Sequence, residues 1–223
     1  MLDCLQQVDT SVFLALNGLH SAFFDPFMMM ATGRFTWVPF YVALAVMLWL
    51  RYGWRRTLVL LIMVALVITL ADQICASWLR PMLQRLRPAH PDNPLSPMVV
   101  TVDGYRGGHY GFPSSHGANA FALALFLSLV YRQRLLTWTV YVWALLHVYT
   151  RIYLGVHYPG DILVGALLGS AVAAAVYLLY RYAQQRFPIA TPPRDGRICF
   201  DPARIPLCVF VVEVAVLAVL SVV

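Results

Sequence analysis

Uninterrupted apolar runs constrain this chain more than any other feature. Thr57–Ala71 and Ile162–Tyr180 contain no charged residue, and Pro206–Val212 is apolar throughout. A helix rises about 1.5 Å per residue, so roughly 20 such residues cross ~30 Å of hydrocarbon. Lipid offers backbone groups no hydrogen-bond partner, so runs of this kind become helices. Composition agrees: 61% of the residues are hydrophobic, 12% are charged and the mean hydropathy is +0.70. Soluble domains carry about twice that charged fraction. The expected class is an all-α integral membrane protein, with a single membrane-embedded domain over residues 1–223.

Six transmembrane helices are expected, over Phe27–Leu50, Thr57–Leu79, Ser115–Tyr131, Leu135–Leu154, Ile162–Tyr182 and Pro206–Val223. Before them, Leu5, Val8, Val12, Phe13 and Leu16 recur at helical spacing among Asp3, Gln6, Gln7 and Asp9. That pattern predicts an N-terminal amphipathic helix lying at the membrane interface. Met1–Asp9 has no basic residue and no long apolar core behind it, so no cleavable signal is expected. Cys4, Cys75, Cys199 and Cys208 form no CxxC pair, and no disulfide framework is expected.

The net charge of +6 rests on 16 basic residues, all of them arginine. They lie between apolar spans rather than in one hydrophilic module, which argues against nucleic acid and for orientation and anion binding. The loops after the first, third and fifth spans hold ten arginines and the other side six, so the ten-arginine side is expected to be cytoplasmic. Arg34, near the outer end of the first span, is close enough to snorkel. The other five on that side, Arg80, Arg85, Arg87, Arg106 and Arg151, need another explanation. They flank the most polar stretch, Arg80–Pro113, which is too rich in proline and glycine for a sheet or a long helix.

Three clusters carry candidate chemistry, all on this one side. Arg80 and Arg87 are seven apart and would share a face if Pro81 opened a short helix; snorkelling arginines are the plainer reading of such a pair. Pro113-Ser114-Ser115-His116 heads the third span. A serine there is an ordinary N-cap, but a histidine cation is disfavoured at a helix N-terminus unless an anion sits nearby. Thr150-Arg151 and His157…Asp161 join the fourth and fifth spans. Asp161 suits an N-cap, and a carboxylate four residues after a histidine can also hold the imidazole's tautomer. Together the clusters supply guanidiniums for phosphate oxygens, one imidazole to attack phosphorus and another to protonate the leaving oxygen.

With these residues in place, the sequence resembles the type 2 phosphatidic acid phosphatase family, whose pattern is KxxxxxxRP, PSGH and SRxxxxxHxxxD. The three stretches here read RPMLQRLRP (80–88), PSSH (113–116) and TRIYLGVHYPGD (150–161). The resemblance implies His157 as the nucleophile that becomes a phosphohistidine, oriented by Asp161, with His116 as the acid for the leaving group. It implies phosphate binding by Arg80, Arg87 and Arg151, helped by Ser114 and Ser115. It also implies a six-helix membrane core and no metal or cofactor. Arg80 stands where the family has lysine, Ser115 where it has glycine and Thr150 where it has serine; none of these removes a reacting group.

The expected activity is dephosphorylation of a lipid phosphate or pyrophosphate of the undecaprenyl, phosphatidylglycerol phosphate, phosphatidic acid or lipid A kind. The expected location is a bacterial inner membrane, with the site on the periplasmic side. A lipid phosphotransferase would use the same residues with a hydroxyl acceptor. A metal site built from His116, His157 and Asp161 is disfavoured by three adjacent guanidiniums, and a transporter or scaffold by the intact reacting residues. Asp72, within the second span, is read equally as a functional intramembrane acid and as one half of a structural ion pair with an arginine; His147 is expected to be a hydrogen-bonded structural residue, and Glu213 has no evident partner. His90 and His109 lie in the polar loop, where solvated residues are commoner than ones that touch a head group.

Overall fold

The structure, a computed structural model, describes residues 2–33, 35–188 and 200–222. The expectations for Arg34, Arg194, Arg197 and Cys199 fall outside the described residues. The described part is helical, with no strand and one isolated antiparallel bridge between Leu86 and Tyr110. Helices α1 (Leu2–Asn17), α2 (Phe24–Ala31) and α3 (Val38–Tyr52) lead into α4 (Trp54–Gln73), and a π-helical segment, Ile74–Leu79, joins α4 to the one-turn α5 (Arg80–Leu83). After the polar loop come α6 (Ser115–Tyr131), α7 (Arg134–Tyr153), α8 (Pro159–Arg186) and α9 (Arg204–Leu220).

Among the described residues, two continuous helical stretches are long and apolar enough to cross a bilayer by length and composition, Trp54–Leu83 with 30 residues and Pro159–Arg186 with 28. Val38–Tyr52 and Ser115–Tyr131 are apolar but shorter. Leu163, Leu167, Leu178, Val211 and Val212 on α8 and α9 are more than half exposed, so the outer surface of the bundle is apolar.

The first expected span is corrected. Phe27–Leu50 is not one helix: the chain breaks between α2 and α3. Thr36 Oγ1 donates to the Met30 carbonyl at 2.6 Å, and Trp37 Nε1 donates to the Ala31 carbonyl at 2.8 Å. These side chains take up carbonyls that a continuing helix would have bonded.

At the centre lies α6, packed most extensively on α8, with α7 and α4 on its other flanks. Close approach explains the pairing. A Cβ at Gly169 would collide with the backbone of Ala118, and one at Gly165 with the carbonyl of Ser114. Ala118, Ala122 and Ala124 on α6 are fully buried. Small residues let two helix backbones meet where no bulkier side chain fits, which is how apolar helices associate when lipid is equally apolar. This contact fixes the head of α6 beside the head of α8, where two of the motif clusters lie. Asn17 ties the end of α1 to the same region. Its amide donates to the Val100 and Tyr153 carbonyls at 3.0 and 2.8 Å and accepts from Val100 N–H at 2.9 Å.

Glu213 on α9 accepts from the Phe40 N–H at 3.3 Å, serving one of the unpaired donors of the first turn of α3. Cys4, Cys75 and Cys208 are free.

Candidate active site

The polar loop, the head of α6 and the α7–α8 turn meet at one end of the bundle. The turn is shaped by Gly155, whose φ of +74° is costly for other residues. It sets His157 between α7 and α8, fully buried. Asp161 does not occupy the N-cap expected for it: Tyr158 does. From the third helical position the Asp161 carboxylate accepts the Tyr158 N–H at 3.0 Å through Oδ2, so it caps the helix from inside it. The same oxygen faces His157 Nδ1 at 3.4 Å. That geometry suits a proton on Nδ1 and a lone pair on Nε2.

His157 Nε2 lies 3.0 Å from Nη1 of Arg87, which also donates to the Val156 carbonyl at 2.9 Å. Arg87 reaches this point from an extended segment. The expectation that Arg80 and Arg87 share one face of a short helix is corrected: α5 ends at Leu83, and Gln84 has a left-handed φ of 46°. The reversal sends Arg80 and Arg87 toward the site from two directions. Arg80 donates from Nη2 to Ser115 Oγ at 2.8 Å and to the Pro113 carbonyl at 3.2 Å. Arg151, buried, donates to Thr32 Oγ1 at 2.6 Å and to the Tyr105 hydroxyl at 3.1 Å.

The three guanidiniums are held by neutral oxygens, and among the described residues none has a carboxylate within ion-pair distance. Each also has a buried Nε without a hydrogen-bond partner. Burial, followed by the charges of Arg87, Arg151 and Arg80, pushes the His157 imidazole well below the ordinary histidine range, so it is neutral at pH 7. Burial and the neighbouring charges of Arg151 and Arg80 lower Arg87 to about 10. Uncompensated positive charge around a neutral imidazole is the electrostatic complement of a bound anion.

Ser114 is the N-cap of α6: its Oγ accepts the Gly117 N–H at 3.3 Å, and its own N–H donates to the Asp161 carbonyl at 3.0 Å. The other first-turn N–H groups of α6 have no intrahelical acceptor. His116 is half-buried in that turn, within electrostatic reach of Arg151, Arg87 and His157. Its ring stacks on His147 at 5.5 Å, and His147 stacks in turn on Trp143 at 5.4 Å. From Ser115 and His116 a cavity of about 480 Å³ descends among α3, α4, α6 and α7, lined lower down by Leu61, Leu123 and Leu127. Asp72 has no arginine partner among the described residues, which corrects the ion-pair reading; it accepts from Asn119 Nδ2 at 3.4 Å on the wall of this cavity.

Several residues of the site escape sequence reasoning. Arg85 donates to Asp161 Oδ1 at 2.8 Å and to Asp9 Oδ2 at 2.7 Å, and Asp9 Oδ1 accepts the Gly160 N–H at 2.7 Å. The signal for Arg85 was its place among arginines on the arginine-poor side. Gly111 lies against the His157–Asp161 pair, where a Cβ would come within 3.1 Å of Asp161 Oδ2 and 3.4 Å of His157 Nδ1. Thr32 and Tyr105, the anchors of Arg151, had no signal. His90 and His109 do meet, with ring centroids 4.1 Å apart, in the loop whose His109 carbonyl accepts the Arg87 N–H at 3.3 Å.

This geometry places the chain among helical proteins built around an anion site with a neutral histidine at its centre. The family model of the PAP2 superfamily matches residues 61–185, and the chain belongs to that family. It is 43% identical over 192 residues to a lipid A 4'-phosphatase of Bacteroides thetaiotaomicron, covering 86% of this chain and 85% of that protein. A lipid A 4'-phosphatase of Porphyromonas gingivalis is 36% identical over 193 residues, with 86% and 81% covered. A shorter match, 34% over 74 residues, links 32% of this chain to 35% of the undecaprenyl-diphosphatase BcrC of Bacillus subtilis. The fold is that of a transmembrane PAP2-type phosphatidylglycerolphosphate phosphatase from Bacillus subtilis, with a TM-score of 0.58, 22% identity, and 84% and 90% of the two chains covered. The chain is a phosphatase of the membrane lipid phosphatase class.

Proposed function

We propose that the protein removes a phosphate group from a membrane lipid through a phosphohistidine on His157. One observation carries the reading: Arg80, Arg87 and Arg151, unpaired by any described carboxylate, gather around a neutral imidazole whose far nitrogen faces Asp161. The guanidiniums and the α6 N-terminus hold the non-bridging oxygens. Nε2 attacks phosphorus, the bond to the lipid oxygen breaks, and His116 gives that oxygen a proton. Asp161 steadies the imidazolium as charge develops. Water, deprotonated by His116, then displaces Nε2 and releases inorganic phosphate. Ser115 orients Arg80, and Ser114 fixes the helix end. No metal enters these steps.

The chain is taken as one domain with six membrane crossings, α2 and α3 together supplying the first and α1 lying at the interface. The exposure of Leu5, Val8 and Val12 on α1 supports that placement. The arginine asymmetry supports a site on the non-cytoplasmic side, which in a bacterial inner membrane is the periplasmic side. The lipid tail occupies the cavity below His116. The two extensive relatives are lipid A 4'-phosphatases, so a phosphorylated glycolipid of the lipid A kind is the first substrate to test. Purified protein should release phosphate from it in EDTA, and from polyprenyl pyrophosphate or phosphatidylglycerol phosphate at a lower kcat/KM. No release from any of these lipids would contradict the proposal.

A further inference from the structure

We propose that Asp72 and Asn119 form a recognition point for a hydrogen-bond donor on the substrate, a hydroxyl or an amide N–H carried close to the phosphorylated carbon. The inference rests on the phosphatase reading of the site above and narrows its substrate class. The α4–α6 wall of the cavity is lined by Leu61, Val64, Ile68, Ala120, Leu123 and Leu127, and its polar side chains below Ser115 and His116 are Asp72 and Asn119. Asn119 donates one of its two amide hydrogens to Asp72 at 3.4 Å, while its Oδ1 is buried without a partner. The pair therefore presents carboxylate and amide oxygens to the cavity, and no donor of the protein answers Asn119 Oδ1 among the described residues.

A bare hydrocarbon tail in this position would leave a buried acceptor desolvated, whereas a donor would satisfy it. That difference corresponds to roughly tenfold or more in affinity. Asn119 lies three residues beyond His116 on α6, a rise of about 4.5 Å. With the leaving oxygen at His116, the donor belongs within a few bonds of the ester. Lipids with an amide-linked or hydroxylated chain near the phosphate meet that condition. Diacylglycerol phosphates and polyprenyl phosphates have only esters or hydrocarbon there.

The test uses ceramide 1-phosphate, which carries an amide and a hydroxyl, and phosphatidic acid of matched chain length, which carries neither donor. A third lipid that keeps the amide but lacks the hydroxyl separates the two donors. The expected result is a kcat/KM at least about tenfold higher for a donor-bearing lipid, with the ratio collapsing toward one in Asn119→Leu and in the shape-conserving Asp72→Asn. Equal kcat/KM for the lipids in the unaltered protein would overturn the inference. So would a proportional fall for all of them in both variants, which would mark Asp72–Asn119 as a helix-packing contact only. If no lipid is hydrolysed, it is the phosphatase reading that fails. Direct binding to His157→Gln protein still decides the recognition point: a Kd ratio of similar size supports it and equal Kd values contradict it.

Discussion

Arg85 grips Asp161 at 2.8 Å with one terminal nitrogen, while its other terminal nitrogen holds Asp9 of α1 at 2.7 Å. The aspartate that faces His157 is thus itself fixed, and the N-terminal helix takes part in fixing it. The Arg85 guanidinium also lies over the Tyr158 ring, 3.9 Å from its centroid, which limits its freedom further. Removing Arg85 leaves the buried Asp161 carboxylate without its cation and free to rotate away from Nδ1. Arg85→Gln is expected to lower kcat about 10- to 100-fold with little change in KM, because the contact does not touch substrate. Arg85→Lys should recover part of the loss, and steady-state kinetics on one lipid phosphate reads the split.

Arg80, Arg87 and Arg151, proposed to hold the phosphate, are not equivalent. Position 80 is lysine in the family pattern, and Arg80 reaches Ser115 and a carbonyl through one terminal nitrogen alone. Arg80→Lys is expected to cost less than about tenfold in kcat/KM. Arg151 uses both terminal nitrogens, on Thr32 and Tyr105, so its fork geometry matters. Arg151→Lys should cost about 100-fold or more. Phosphate-release assays on the two variants side by side check the ranking.

Neutral burial of His157 has a pH signature. Its pKa in the folded protein lies well below the ordinary 6.5 because burial and three guanidiniums oppose the imidazolium. As pH falls below about 6.5 the unfolded chain takes up a proton that the folded protein refuses, so stability falls with pH. Each pH unit down to the folded pKa costs about 1.4 kcal/mol. His157→Gln cannot be protonated, so its unfolding temperature in detergent should fall less between pH 6.5 and 5 than that of the unaltered protein. Parallel pH profiles would contradict this.

The α6–α8 contact is the mechanical base of the site. A side chain at Gly169 meets backbone of Ala118, which cannot swing aside as the end of a flexible side chain would. Gly169→Val is expected to destabilise the protein by a few kcal/mol and to abolish activity by parting the heads of the two helices. Thermal unfolding together with residual turnover measures both effects.

Much of this was legible in the residues. Helices α6 to α9 fall within a few residues of their apolar runs, because continuous hydrophobicity bounded by Ser, Gln, Pro or Arg leaves few alternatives. The motif clusters meet at one end of the bundle, where Arg80 reaches Ser115 and Arg87 reaches His157. The break between α2 and α3 was not legible, since it depends on Thr36 and Trp37 reaching carbonyls that only the folded turn presents. Periodicity also misled at Arg80–Arg87, where the chain reverses at Gln84 rather than continuing a helix. Charge alone suggests an arginine partner for Asp72, but its neighbour across the α4–α6 contact is an amide. Arg85 and Asp9 are joined across 76 positions of sequence, and no local pattern announces such a pair.

The covalent intermediate on His157 is the central claim, and rapid-quench trapping with a lipid labelled in its phosphate tests it most directly. The account predicts protein-bound label that survives base and is lost in acid, maps to the peptide containing His157, and is missing from His157→Gln. Turnover without protein-bound label, or label on another residue with His157→Gln still active, would contradict it.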